Sequence, residues 1–320
     1  MNSIDVTDDP TQHGRPRLFS TILVVLSVLA AYPLVGSLLT VLAIGNVSLD
    51  EGFRWLTAPL LPKMLAAQAV GQILVLALPP LWIVSRMTGG GLFGSATLGW
   101  LGIGKRGGAR AALTAGAGML LLQPVMYSII ELQVLLLPYL GSIGKKLLQD
   151  QAGLDQLLRK LAGGVNDGFI LSALVLVVTP AICEELFFRG YIQKSLELNL
   201  SPRRAVLFTG IVFAMFHLEW FNFVPLTLLG WYIGYIYLRS DNLLAPAVAH
   251  GINNLTALIL MKTGVDSGGP GDAATGMLVS LPWWWVLVSV TLFLFSLLIR
   301  SFPGRAALQD VDNPMPGGHR

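Results

Sequence analysis

The sequence predicts an all-α fold: a polytopic transmembrane bundle of about eight helices. Three observations predict it. Charged residues make up 12% of the 320 and hydrophobic residues 54%, whereas a soluble domain carries about 25% charged. Mean hydropathy is +0.67. Apolar runs of about 18 residues or more recur along the chain, long enough as helices to cross a hydrocarbon core roughly 30 Å thick.

Spans are expected at 18–43, 62–84, 111–139, 168–192, 203–218, 221–238, 243–262 and 281–300. The first follows a polar stretch holding Arg15 and Arg17. It is too long for the apolar core of a signal peptide, so it reads as a retained span. Pro33, Pro79, Pro80, Pro124, Pro180 and Pro246 predict kinks or helix ends, which membrane bundles tolerate. The Gly-rich stretch 85–110 predicts an interfacial loop. In 145–164, leucines at 147, 148, 154, 157, 158 and 161 predict an amphipathic helix, lying on the membrane surface or docked on the bundle. The polar ends, 1–17 and 301–320, are expected to be mobile tails.

An N-terminus in the cytoplasm places fourteen of the 21 Lys and Arg residues on that side and seven opposite, four of the seven in the loop 141–167. Both ends are therefore expected in the cytoplasm, in what the compact loops suggest is a bacterial inner (plasma) membrane. The formal charge of +3 follows from this asymmetry. No basic stripe with interleaved aromatics occurs, so nucleic acid is not an expected partner. Cys183 is the single cysteine, which excludes an intrachain disulfide and zinc-finger spacing.

Polar residues are unevenly spread. Spans one, two and eight hold almost no ionisable groups, whereas 168–262 concentrates Glu184, Glu185, Arg189, His217, Glu219, His250, Asn253 and Asn254. Ionisable groups at membrane depth are costly and mark function. The chain accordingly divides into a polar N-terminus (1–17), a transmembrane scaffold with interfacial loops (18–167), a catalytic core (168–262), a loop with the last helix (263–300) and a polar tail (301–320).

Three clusters carry the chemistry. In "EELFFR", adjacent carboxylates point about 100° apart on a helix. Arg189 lies four residues after Glu185, which suits an ion pair and leaves Glu184 on another face. "FAMFH" places Phe213 and His217 four apart, and "HGINN" does the same for His250 and Asn254, with Gly251 expected to permit close helix approach. Taken singly, each could be a capping charge cluster or polar glue between helices. Both histidines outside the polar tails, which hold His13 and His319, fall in these clusters. A carboxylate and two imidazoles suit water activation for hydrolysis, with an imidazole N–H and an asparagine amide stabilising an oxyanion. Glu184, His217 and His250 could instead bind Zn²⁺.

The order E184-E185-L-F-F-R189, F213-A-M-F-H217 and H250-G-I-N-N254 resembles the CAAX-protease and bacteriocin-processing (CPBP, or Abi) family, that of the Rce1-type CAAX prenyl endopeptidases. The resemblance covers about 168–262. It implies an all-helical intramembrane endopeptidase in which Glu184, assisted by His217, is the base for water. His250 and Asn254 would form the oxyanion site, Glu185 and Arg189 would support it, and Phe213 would pack against it. Metal-dependent and metal-independent mechanisms are both open. The arginine and the asparagine tilt the reading to no required cofactor, with Zn²⁺ as the alternative. Expected partners are membrane lipid and a peptide or lipidated-protein substrate. Competing readings are a non-catalytic scaffold or bacteriocin-immunity protein of the same fold, and a proton-coupled transporter. The transporter would be expected to show internal repeats.

Overall fold

The computed structural model describes residue 16 and residues 18–45, 60–105, 107–163, 169–263 and 283–298. The expected polar tails fall outside the described residues but for Pro16, as do His13, His319 and most of the loop before the last span. Every described element is helical: α1 (Leu18–Ile44), α2 (Leu61–Thr88), α3 (Ser95–Trp100), α4 (Gly108–Leu136), α5 (Gly141–Gly163), α6 (Phe169–Glu197), α7 (Pro202–Phe216), α8 (Phe223–Ser240), α9 (Leu244–Thr263) and α10 (Trp283–Leu298).

Helices stand at all eight expected spans. Five runs are long and apolar enough to cross a membrane: α1, α2, Gly108–Arg159, α6 and Leu244–Lys262. With its 15 residues, α7 is about 22 Å long, short of the hydrocarbon thickness. Along α1 a row of large apolar side chains, including Leu23, Leu26, Leu34, Leu38 and Leu42, faces outward, as it would toward lipid. The inner face of α1 offers Thr21, Val28 and Tyr32 to the bundle. Neighbouring helices pair as α4 with α9, α7 with α8 and α1 with α2.

The prolines act in a specific way. Pro79 and Pro80 follow a widened turn at Ile73–Ala77, and Pro180 follows another at Leu174–Val178. Proline cannot donate to the carbonyl four residues back, and a turn with hydrogen bonds five residues apart accommodates the gap. Thr179 helps by donating its hydroxyl to the Leu174 carbonyl (2.8 Å). A third widened turn, Leu186–Gln193, begins directly after the two glutamates. The carboxylates thus sit in a short regular stretch, Thr179–Glu185, bounded on both sides by widened turns.

The expected interfacial loop 85–110 contains α3 and is tied down over the ends of α6 and α8. Leu101 is fully buried. The Leu243 amide donates to the Gly102 carbonyl (2.9 Å), Lys105 pairs with Asp241, and Lys194 donates to the Trp100 carbonyl. Gly102 adopts a φ of +84°, and a Cβ there would crowd the Tyr237 ring at 3.1 Å. The amphipathic helix α5 is docked on the bundle, where it packs against α9. Asn222 Nδ2 donates to its Gln151 Oε1 (3.2 Å).

The closest helix crossing joins α7 to α8. A Cβ on Gly230 would lie 2.8 Å from the Cα of Gly210. By contrast a Cβ on Gly251 would meet Ala181 at an ordinary 3.7 Å. The expectation that Gly251 permits the tight approach is therefore corrected: Gly210 and Gly230 do so.

Candidate active site

The tight α7–α8 crossing sets where α6 finds its partners. Arg189 Nη2 donates to the Gly230 carbonyl (3.2 Å) and Gln193 Nε2 to the Gly234 carbonyl (3.0 Å). Two side chains one turn apart on α6 thus grip two backbone carbonyls one turn apart on α8. Gln193 was not singled out in the sequence, and its four-residue spacing from Arg189 is the signal that points to it.

Arg189 Nη1 also donates to Glu185 Oε1 at 2.8 Å, with both side chains fully buried. The same oxygen receives His250 Nδ1–H at 2.8 Å. Glu185 therefore joins the arginine to the histidine of α9. Phe213 lies at the centre of this group: its ring is 4.7 Å from that of His217, 5.7 Å from that of His250, and 4.7 Å from the Arg189 guanidinium carbon. The positive edge of an imidazole and the charge of a guanidinium are both accommodated by an aromatic face.

Glu184 faces elsewhere. Its Oε2 stands 3.9 Å from His217 Nε2 and 3.9 Å from His250 Nε2. It is buried and has no hydrogen-bond partner among the described residues. The other nitrogen of each ring fixes the tautomer. His217 Nδ1 lies 2.8 Å from the Phe213 carbonyl, which accepts only, so Nδ1 carries the proton. His250 Nδ1 donates to Glu185. In the neutral rings both Nε2 atoms are then bare, and three acceptors converge. A water molecule, with two protons to give, matches such a set. For His250 to donate from Nε2 to an oxyanion, the ring must carry both protons.

These groups border a cavity of about 390 Å³. Glu184, His217 and Asn254 line it, together with Tyr32 of α1, Gln68 and Gln72 of α2, Leu158 of α5, and Glu219 after α7. Asn254 Oδ1 accepts from Asn253 Nδ2 (3.3 Å). Asn253 in turn accepts from Gln123 of α4 (3.1 Å). His217 caps α7, and the next residue, Leu218, has a φ of +55°. A leucine in the left-handed region costs of order 1 kcal/mol, the kind of strain that collects at functional sites. That reversal turns the chain at the cavity, with Leu218 and Glu219 among its lining residues.

Every sequence-predicted site residue thus lies in or directly behind one cluster. Glu184, His217 and Asn254 line the cavity, while Glu185, Arg189, Phe213 and His250 are packed behind it. Tyr32, Gln68 and Gln72 were missed, because the first two spans carry almost no ionisable groups. A lone tyrosine beside Pro33, and two glutamines four apart in an apolar helix, are the signals that would have found them.

A carboxylate and two imidazoles are donors that Zn²⁺ accepts. At metal–ligand distances of about 2.1 Å, tetrahedral partners stand about 3.4 Å apart, closer than the 3.9 Å found here. Among the described residues no group of three His, Cys, Asp or Glu is arranged to hold a metal ion. As placed, the two Glu184–imidazole separations are about 0.5 Å wider than a tetrahedral ligand set takes, and no step below is routed through a metal.

No curated protein and no solved structure matches the chain. The long apolar helices make it an integral membrane protein. Residues 166–256 match the family model described as type II CAAX prenyl endopeptidase Rce1-like, a match that takes in every motif residue of the cluster and supports a membrane-embedded protease of the CAAX type.

Proposed function

We propose that the chain is an intramembrane endopeptidase that hydrolyses a peptide bond of a membrane-associated substrate with a water activated by Glu184. The observation that carries this reading is the convergence at 3.9 Å of Glu184 Oε2 with two imidazole Nε2 atoms, Glu184 and His217 on the wall of a cavity and His250 directly behind it. Water held there gives one hydrogen bond to Glu184 and one to His217. As its oxygen attacks the carbonyl carbon, its proton passes to Glu184 Oε2. The developing oxyanion is met by the Asn254 amide and by His250 as the imidazolium, whose second proton Glu185 holds on Nδ1. When the tetrahedral intermediate collapses, the C–N bond breaks and the proton on Glu184 goes to the leaving amine. Arg189 holds Glu185 in place.

The substrate is a peptide or a lipidated protein, of CAAX type or a bacteriocin-like leader, reached in a surrounding of membrane lipid and without nucleic acid. No cofactor is needed on this reading. The membrane is a bacterial plasma membrane with both termini cytoplasmic, supported by the distribution of basic residues.

The test uses the full chain purified in detergent, with a fluorogenic prenylated CAAX peptide and a library of unprenylated peptides. Wild type is expected to cleave, and Glu184→Gln to lose at least about 10³-fold in kcat while keeping its fold. Activity that survives in Glu184→Gln removes the assigned base. Loss of activity with a chelator and return with Zn²⁺ replaces the metal-independent route.

A further inference from the structure

Outside the matched segment 166–256, one pair of side chains reaches the cavity with hydrogen-bonding capacity unspent. Tyr32 stands on α1, its ring 4.7 Å from that of Phe216, the residue next to His217. Its side chain lines the cavity together with Gln72 and Glu184. Gln72 is 2% exposed, and its Oε1 has no hydrogen-bond partner among the described residues. The Tyr32 phenol for its part carries one O–H to donate. Both residues line the same cavity as Glu184, His217 and Asn254.

We propose that the Tyr32 hydroxyl is a catalytic hydrogen-bond donor to the carbonyl oxygen of the scissile peptide, and that the free Oε1 of Gln72 on the same cavity accepts a backbone N–H of the same substrate. The inference rests on the hydrolase reading above and extends it to two helices that read as scaffold in the sequence. The pair offers one O–H donor and one C=O acceptor, the complement of the C=O and N–H that an extended chain turns to one side. It also answers a need of the site. Glu184 Oε2 and the two neutral imidazoles present acceptors alone, and His250 can donate from Nε2 only as an imidazolium. A phenol is a donor whatever the state of that ring. A donor aimed at charge that grows in the transition state lowers the barrier more than it strengthens ground-state binding.

The test compares wild type, Tyr32→Phe, Gln72→Met and Glu184→Gln, each as the full chain in detergent. A peptide cleaved by wild type serves as substrate, and a phosphinic analogue of its scissile bond as the transition-state mimic. Phenylalanine keeps the ring contact with Phe216, so Tyr32→Phe should melt with wild type. Its kcat should fall about 10²-fold with KM within about twofold, and its affinity for the phosphinic analogue should fall in parallel. Gln72→Met, which removes the acceptor for the substrate N–H, should lose about tenfold in kcat/KM. A Tyr32→Phe enzyme with wild-type kcat, or with a changed KM alone, overturns the proposal. If Glu184→Gln is inactive in that same experiment, the hydrolase reading stands without it. A wild type that cleaves nothing across the panel overturns both.

Discussion

The pair Glu185–Arg189 gives a stability prediction with a definite size. Both side chains are fully buried and 2.8 Å apart. Substituting Glu185→Gln keeps the shape and an acceptor oxygen but removes the charge, leaving the guanidinium with that amide, a carbonyl of α8 and two aromatic rings as its neighbouring partners. Breaking one side of a buried pair costs about 3–5 kcal/mol, chiefly the desolvation of the charge left behind. Arg189→Met should cost about the same for the mirrored reason. The double substitution leaves neither charge uncompensated, so it should recover about 2–3 kcal/mol relative to the sum of the singles. The assay is reversible unfolding in mixed micelles, titrated with SDS and followed by far-UV circular dichroism. A Glu185→Gln cost below about 1 kcal/mol, the value of a solvent-screened pair, would refute the reasoning. So would single costs that simply add.

Three further predictions concern the backbone near the site. Gly230→Leu should cost several kcal/mol and most of the activity, since its Cβ would sit 2.8 Å from Gly210. Gly251→Ala should be neutral or gain up to about 1 kcal/mol from helix propensity, because its Cβ meets Ala181 at 3.7 Å; the same titration reads both. Leu218→Gly should stabilise by about 1 kcal/mol, releasing the strain of a φ of +55°, and a higher midpoint in that titration checks it.

The fold class was legible because a chain so poor in charge and so rich in long apolar runs has few ways to satisfy its backbone. The cluster was legible because four-residue spacing puts Glu185 with Arg189 and His250 with Asn254 on shared helix faces, whatever the tertiary arrangement. What periodicity does not encode is which helix lies against which. That is why Tyr32 and Gln72 escaped notice: each is one polar group in an apolar span, and its meaning comes from Glu184 on another helix. The widened turns were hidden for a related reason. Pro180 announces a disturbed helix, but the sequence does not distinguish a kink from an i→i+5 turn. Gly251 was given the tight approach from its place in a motif, whereas the crossing of α7 and α8 assigns it to Gly210 and Gly230.

The grip of α6 on α8 runs through main-chain oxygens, at Gly230 and Gly234. Every amino acid brings the same carbonyl, so no exchange at these two positions can delete the acceptor itself. What an exchange at Gly230 can do is push helices apart, since a Cβ there would stand 2.8 Å from the Gly210 backbone, whereas at Gly234 it would meet the end of the Gln193 side chain at 2.9 Å. The arginine behind the reaction centre is thus secured by a criterion of volume alone. Position 230 is indifferent to the chemistry of its occupant and intolerant of its bulk.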